Sequence, residues 1–232
     1  PLVTVNHMLA HIFANCIEHK EIKPPFLAMV VSGGHTELVQ FDTLVSFQIV
    51  GKTLDDAAGE SFDKTAKLLG LGFPGGPIID DLAKNGNPDF IRFPRALPQK
   101  DNFNFSYSGL KTAIRTWLVN QKPEILNDKL PDIAASVQQA IIEPLVNKSV
   151  LWARQHKIPY ILLAGGVAAN SALRKQVTQS AAKYGIKVFY PSTAFCMDNA
   201  AMVGAAAIPK FLVGDYAPLT VNVSSKKGTR TV

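Results

Sequence analysis

Apolar residues recur at helical spacing over residues 6–19, where Leu9, Phe13 and Ile17 share one face and Met8 and Ile12 lie beside it. Asn6 stands at the N-cap position, and the run Lys23-Pro24-Pro25 stops the helix. The pattern then shortens. FLAMVVSGGHTELVQF, residues 26–41, reads as strand, Gly-Gly turn and strand, which predicts a hairpin. Helical spacing returns in TLDDAAGESFDKTAKLLG, residues 53–70, with Thr53 or Asp55 near its start and Gly70 at its end. Asp56, Glu60, Asp63 and Lys64 fall within one side of that helix. Residues 71–109 are rich in Pro, Gly and Asn and hold one helical stretch, IIDDLAKNG, within a long irregular connection. Such connections inside compact domains tend to carry function. LKTAIRTWLVN and PDIAASVQQAIIEPLVNKSVLWARQHK are predicted helices, the second kinked or split at Pro144. IPYILLAGGVAANSALRKQVTQSAAKYG predicts strand, Gly-Gly turn and helix. IKVFYP follows as a strand, DNAAMVGAAAIPKFL as a small-residue helix, and SSKKGTRTV as a basic, mobile tail. A hairpin, a block of helices and then βαβα predict an α/β or α+β fold with a mixed sheet.

The length of 232 residues and an apolar share of 47% allow a substantial core, and 18% charged residues are too few for a disordered chain. The balance of 24 basic to 18 acidic residues, net +6, suits a polyanionic partner such as RNA, as it suits many basic enzymes. Two cysteines, Cys16 and Cys196, point to a reducing compartment rather than a disulfide framework. No apolar run reaches the roughly 18–20 residues needed to cross a bilayer, and no signal peptide is visible, so a cytoplasmic protein without membrane contact is expected. The chain opens on Pro1 and reads as a piece of a longer protein.

Three glycine pairs stand out, at 33–34, 75–76 and 165–166. Two of them close apolar strands. Glycine lets a ligand approach the backbone, the N–H groups of such a turn cradle anions, and a following helix adds its dipole. A tight turn alone accounts equally for any single pair. Neither a G-x-G-x-x-G nor a G-K-[ST] pattern is present, which argues against the Rossmann and P-loop modes of nucleotide binding.

His7 and His11 stand four apart, on one face of the first helix, where both can reach one ion. The zinc-protease pattern H-E-x-x-H has the same spacing, but Met8 occupies the place of its glutamate. A third ligand must come from elsewhere, and Asp198 in FCMDNAAM is a candidate. The plain alternatives are an N-cap for Asp198 and hydrogen-bonded imidazoles on a half-buried helix for the histidines. Mixed N and O ligands would suit Zn²⁺ or Fe²⁺.

The stretches NHMLAH, VSGGHTELV, TLDDAAGESFDKTAKLLGLGFPGGPIID, FSYSGLKTA, LAGGVAANSALR and FCMDNAAMVG occur in one order. In that order they resemble the TsaD family of tRNA N6-adenosine threonylcarbamoyltransferases, formerly called O-sialoglycoprotein endopeptidases. The resemblance implies an actin/Hsp70/sugar-kinase fold of two ribonuclease-H-like lobes with a nucleotide cleft between them. It implies transfer of threonylcarbamoyl from threonylcarbamoyl-AMP to N6 of adenosine at position 37 in tRNAs reading ANN codons. It implies His7, His11 and Asp198 as ligands of one Fe²⁺ or Zn²⁺. Val30, Val31, Ser32, Gly33 and Gly34 match the substrate-binding strand and turn, and Asp63, Gly76, Asp80 and Asn170 match further nucleotide or substrate contacts. A TsaB-type paralogue and a TsaE-type ATPase are the implied protein partners. Family members carry a strand and acidic turn ahead of NHMLAH, so the first lobe is expected to be largely missing here. Residues 1–25 would be its remnant, 26–200 the second lobe with a helical insertion, and 201–232 a helix returning toward the first lobe, then the tail. Met197 and Tyr107 depart from the motifs. No residue stands out as a general base. Arg92, Arg95, Lys100, Lys111 and Arg115 flank the long connection and could meet tRNA phosphates. A non-catalytic scaffold paralogue and an ATPase or sugar kinase of the same superfamily are the alternative readings.

Overall fold

The structure is a computed structural model and describes residues 1–223. The predicted basic tail, 224–232, lies outside the described residues.

Five strands form one sheet: β1 (Phe26–Val31), β2 (Thr36–Phe41), β3 (Phe47–Lys52), β4 (Tyr160–Ala164) and β5 (Lys187–Phe189). Their order is β3-β2-β1-β4-β5. The first three pair antiparallel, as hairpins allow, while β4 and β5 join parallel through helical crossovers. The sheet is therefore mixed, as the element order predicted.

β1 is central and every one of its residues is buried. Its period of two divides them between two cores. Leu27, Met29 and Val31 face a large core built with α3 (Ala58–Leu68), α4 (Gly75–Ala83), α5 (Ser108–Val119), α7 (Leu130–Gln155) and α8 (Ser171–Ala182). Phe26, Ala28 and Val30 face a smaller core that includes Met8, Ile12 and Phe13 of α1 (His7–Phe13) and Met202 and Ala206 of α10 (Ala200–Leu212). The result is three layers, with α1 and α10 packed together on one side of the sheet.

The elements differ from expectation where a side chain is used over a distance. The helix predicted over 6–19 breaks into α1 and α2 (Asn15–Glu18), because the buried Asn15 amide donates to the carbonyls of Ile12 (3.1 Å) and of Leu163 on β4 (2.9 Å). The helix predicted from residue 53 starts at Ala58, whose N–H donates to the Thr36 hydroxyl at 2.9 Å. Thr53 instead bridges to Phe105 in strand fashion. α7 runs unbroken past Pro144, with Ile141, Ile142, Leu145 and Val146 buried around it. That packing outweighs the lost hydrogen bond. β3, α6 (Pro123–Asp128) and α9 (Thr193–Cys196) were not foreseen.

Candidate metal and nucleotide site

α1 begins with the predicted cap: Asn6 Oδ1 accepts from the N–H groups of Met8 (2.9 Å) and Leu9 (3.2 Å). One turn of helix then brings the rings of His7 and His11 to 4.8 Å, edge to face. Asp198, in the link between α9 and α10, meets them from the far end of the described chain. Its Oδ1 lies 3.4 Å from Nε2 of His7 and 3.1 Å from Nε2 of His11. One ligand atom from each residue falls within 4.8 Å of the others. Ligands held about 2.0–2.1 Å from a tetrahedral ion stand roughly 3.3 Å apart, so the spacing and the donor set fit a divalent ion such as Zn²⁺ or Fe²⁺.

The cup is asymmetric. The His11 side chain is 6% exposed, against 56% for His7 and 76% for Asp198. Burial and the neighbouring His7 push the His11 pKa below its usual value, and Asp198 only partly opposes them. The lowered pKa favours the neutral imidazole, the form that has a lone pair to offer a metal. The alternative of Asp198 as an N-cap does not hold, because Asn199 caps α10, its Oδ1 accepting from Met202 N–H at 2.9 Å.

Two glycine turns lie beside one another at the carboxyl ends of the parallel strands β1 and β4, where open α/β sheets take their ligands. After β1, Ser32 N–H donates to the His35 carbonyl (2.8 Å) and His35 N–H to the Ser32 hydroxyl (3.1 Å). A Cβ added at Gly33 or Gly34 would meet nothing within 4 Å, so the space beside this turn is open. Val30 and Val31 put their side chains into the two cores, which leaves main chain to offer at the strand end. After β4, Gly165 sits at φ +87°, and a Cβ there would come 2.5 Å from the Val31 carbonyl oxygen. Glycine is needed here for both reasons. Gly166 follows and opens a single 3-10 turn, residues Gly166–Ala169, ahead of α8.

The remaining site candidates tie helix ends together. Asp63 accepts from the Gly75 N–H at the start of α4 (2.7 Å), beside Gly76, which faces open space. Asp80 accepts from the N–H (3.0 Å) and hydroxyl (2.8 Å) of Ser171 at the start of α8. Asn170 caps α8 through Leu173 N–H (2.8 Å) and donates to Gln138 Oε1 (2.7 Å). Of the basic residues flanking the long connection, Arg95 is paired with Glu143 at 2.8 Å, while Arg92, Lys100, Lys111 and Arg115 are exposed. Sequence reasoning missed Arg174. Its guanidinium donates to the carbonyls of Ala168 and Pro191 and contacts the Cys196 sulfur at 3.3 Å, so it clamps α9 to the 3-10 turn. Its place within LAGGVAANSALR was the only available sign.

The family model for TsaD, tRNA N6-adenosine threonylcarbamoyltransferase, matches residues 1–205. The protein of that name from Clostridium perfringens is 47% identical over 224 residues, covering 96% of this chain and 66% of the relative. Its counterpart from Syntrophotalea carbinolica is 49% identical over 225 residues, covering 97% of this chain and 66% of the relative. The chain thus spans about two thirds of the length of these curated relatives. Among solved structures, HypF from T. kodakarensis superposes with a TM-score of 0.68 at 16% identity, over 93% of this chain and 37% of that one. The activator of 2-hydroxyisocaproyl-CoA dehydratase from Clostridium difficile, solved with bound ADPNP, gives 0.53 at 13% identity, over 95% of this chain and 72% of that one. At these identities the two show the fold alone, and it is of the actin/Hsp70/sugar-kinase type that the motifs implied. With its motifs in order and the family model running through α1, both glycine turns and Asp198, the chain belongs to the TsaD family of tRNA N6-adenosine threonylcarbamoyltransferases.

Proposed function

We propose that the protein transfers the threonylcarbamoyl group from threonylcarbamoyl-AMP to N6 of adenosine at position 37 in tRNAs reading ANN codons. Family membership motivates the reading. The observation that carries it is the convergence of His7, His11 and Asp198, drawn from opposite ends of the chain. A structural scaffold has no use for such a trio.

An adenine N6 amine is a weak nucleophile, because its lone pair is delocalised into the ring. The carbonyl of the adduct must therefore be well placed and activated. In this reading His7, His11 and Asp198 hold one Fe²⁺ or Zn²⁺. Such an ion supplies Lewis-acid stabilisation of developing charge when bound. Main-chain N–H groups at Gly33–Gly34 and Gly165–Gly166 take the phosphate, and the open space beside Gly33 and Gly34 leaves room for it. Asp63 and Asp80, which accept from the N–H groups at the starts of α4 and α8, are assigned to ribose hydroxyls, and Gly76 and Asn170 to further contacts at those two helix starts. Val30 and Val31 set the height of the first turn through the strand. Holding the reactants in register accounts for much of the rate.

The proposal extends to organisation and partners. Residues 1–25 belong with a first lobe, 26–200 form the second, and 201–232 hold the C-terminal helix α10, which returns toward the first lobe, and then the tail, of which 224–232 lie outside the described residues; the packing of α1 on α10 supports this grouping. A TsaB-type paralogue and a TsaE-type ATPase are the proposed protein partners, and the compartment is the cytoplasm. No helix among the described residues is long and apolar enough to cross a membrane. The test is mass spectrometry of nucleosides from tRNA incubated with the complete gene product, its partners and the adduct. Threonylcarbamoyladenosine is expected from the wild type and not from His11→Ala. Equal product from the two would refute the role given to the trio.

A further inference from the structure

The chain has four methionines. Met8, Met29 and Met202 are buried, while Met197 is 65% exposed. An apolar thioether in solvent adds nothing to the core, yet the backbone that carries this one is tied on both sides. The Asn199 amide donates to the Met197 carbonyl at 2.9 Å while its oxygen caps α10. Arg174 fixes the preceding residues against the 3-10 turn through Pro191, Cys196 and Ala168.

The backbone at Met197 is extended, with φ −91° and ψ 170°. In extended chain, neighbouring side chains project to opposite sides. Asp198 reaches the two histidines. Met197 goes the other way, and its Sδ lies 3.6 Å from the place a Cβ on Gly166 would occupy. The side chain therefore lies against the glycine turn that follows β4, one residue along the chain from the aspartate of the trio.

We propose that Met197 covers the acyl–phosphate linkage of the bound adduct and keeps water from it, so that the carbonyl passes to the amine rather than being hydrolysed. The inference rests on the functional reading above, in which the trio takes the acyl end and the turns take the phosphate. In transfer, a C–N bond forms to the adenine amine and the C–O bond to phosphate breaks. AMP leaves with that electron pair, and the amine proton goes to solvent. In hydrolysis, the oxygen of water takes the place of the amine and the same C–O bond breaks. AMP again leaves, and the carbamic acid formed loses CO₂ to give threonine. Both routes release AMP, so AMP formed per modified nucleoside measures the leak. A methionine side chain is large and apolar enough to exclude water from one face of the linkage.

Two measurements test this. In the first, the complete gene product and its partners turn over the adduct with tRNA, and AMP and threonylcarbamoyladenosine are both counted. Met197→Ala is expected to raise AMP per modified nucleoside severalfold, and Met197→Leu to restore the wild-type ratio. A merely structural role would slow both routes and leave the ratio alone. Equal ratios in wild type and Met197→Ala overturn the inference by itself. A wild type that makes no modified nucleoside overturns the functional reading and the inference with it. The second measurement is a footprint. Exposed methionine oxidises to the sulfoxide in peroxide, and the three buried methionines serve as internal references. With AMP at about ten times its Kd, oxidation of Met197 should slow roughly tenfold, since only about one molecule in eleven is then free. An unchanged oxidation rate at that occupancy overturns the inference.

Discussion

Replacing Asn6 by Ala tests whether a helix cap positions a metal ligand. α1 spans seven residues, too short to hold itself. Its later part is fixed by packing, with Ala10, Ile12 and Phe13 buried under the sheet and His11 buried beside them. The first turn has less: His7 is exposed, and the Asn6 side chain satisfies the N–H groups of Met8 and Leu9. Loss of a side-chain cap costs about 1 kcal/mol, within a range of roughly 0.5–2 kcal/mol. If that cost falls on ordering the turn that carries His7, affinity for the ion drops about fivefold, within a range of roughly 2-fold to 30-fold. Asn6→Asp keeps an acceptor at the cap and should keep the affinity. The assay is competition of Zn²⁺ against a chromophoric chelator, run beside urea unfolding of the metal-free protein. Asn6→Ala with lowered stability but wild-type affinity would refute the coupling, because the cap would then support the fold without placing His7. Equal losses in Asn6→Asp would refute it too, by showing that the amide is needed for something other than accepting those two bonds.

The two glycine turns should separate cleanly. Gly165→Ala forces a side chain into positive φ and against the Val31 carbonyl, so it should cost at least about 1–3 kcal/mol in urea unfolding. Gly34→Ala meets open space and should leave stability within about 0.5 kcal/mol, while AMP affinity falls in calorimetry; unchanged affinity would take the turn out of the site. Glu37 is buried, one of its oxygens has no partner among the described residues, and burial raises its pKa against the pull of Lys52. Its raised folded-state value makes the protonated form the stabilising one, present below the ordinary carboxylate pKa of 4.5 and lost as pH rises through the folded value. Glu37→Gln should therefore raise the Tm at pH 7, with a gain that shrinks in acid; a constant gain would point to packing instead. His11 runs the other way: its lowered value gives metal-free stability that is full above its ordinary 6.5 and lost as pH falls through the folded value. Metal-free wild type should lose more Tm between pH 7 and pH 5 than His11→Asn, and parallel curves would rule the histidine out as the cause.

Much of this was legible because short apolar runs and punctuating glycines mark buried strands. β1 and β4 read directly from FLAMVV and YILLA, and their turns from the glycines after them. β3, at the sheet edge and half-exposed, carries no such run. The helix starts were harder, because the groups that satisfy them come from far away. Burial alone would raise the Asp55 pKa, but the hydroxyls of Ser106 and Ser108 and the N–H groups of Tyr107 and Ser108 at the head of α5 donate to it and together hold it low. Asp63 serves α4 and Asp80 serves α8 in the same way. Each carboxylate looks like a member of its own helix until the fold shows what it serves. The histidine–aspartate trio was half visible, since four-residue spacing announces His7 and His11. Asp198 could be named as a candidate third ligand from FCMDNAAM, but no spacing rule ties it to the histidines, and only the family resemblance singled it out.

α1 and α10 pack as one layer although they stand at opposite ends of the described chain, and the two ends are tied further out as well. Ala217 N–H donates to the Leu2 carbonyl at 2.8 Å, and Lys210 Nζ to the Thr4 carbonyl at 3.0 Å. The described chain is therefore buckled from its first residues to those just after α10. A protease that clips ahead of α10 strips the cover from α1 as well as releasing its own fragment. Protection against digestion at the two ends should rise and fall together, and a bulky fusion at either end would loosen the histidines and the aspartate at once.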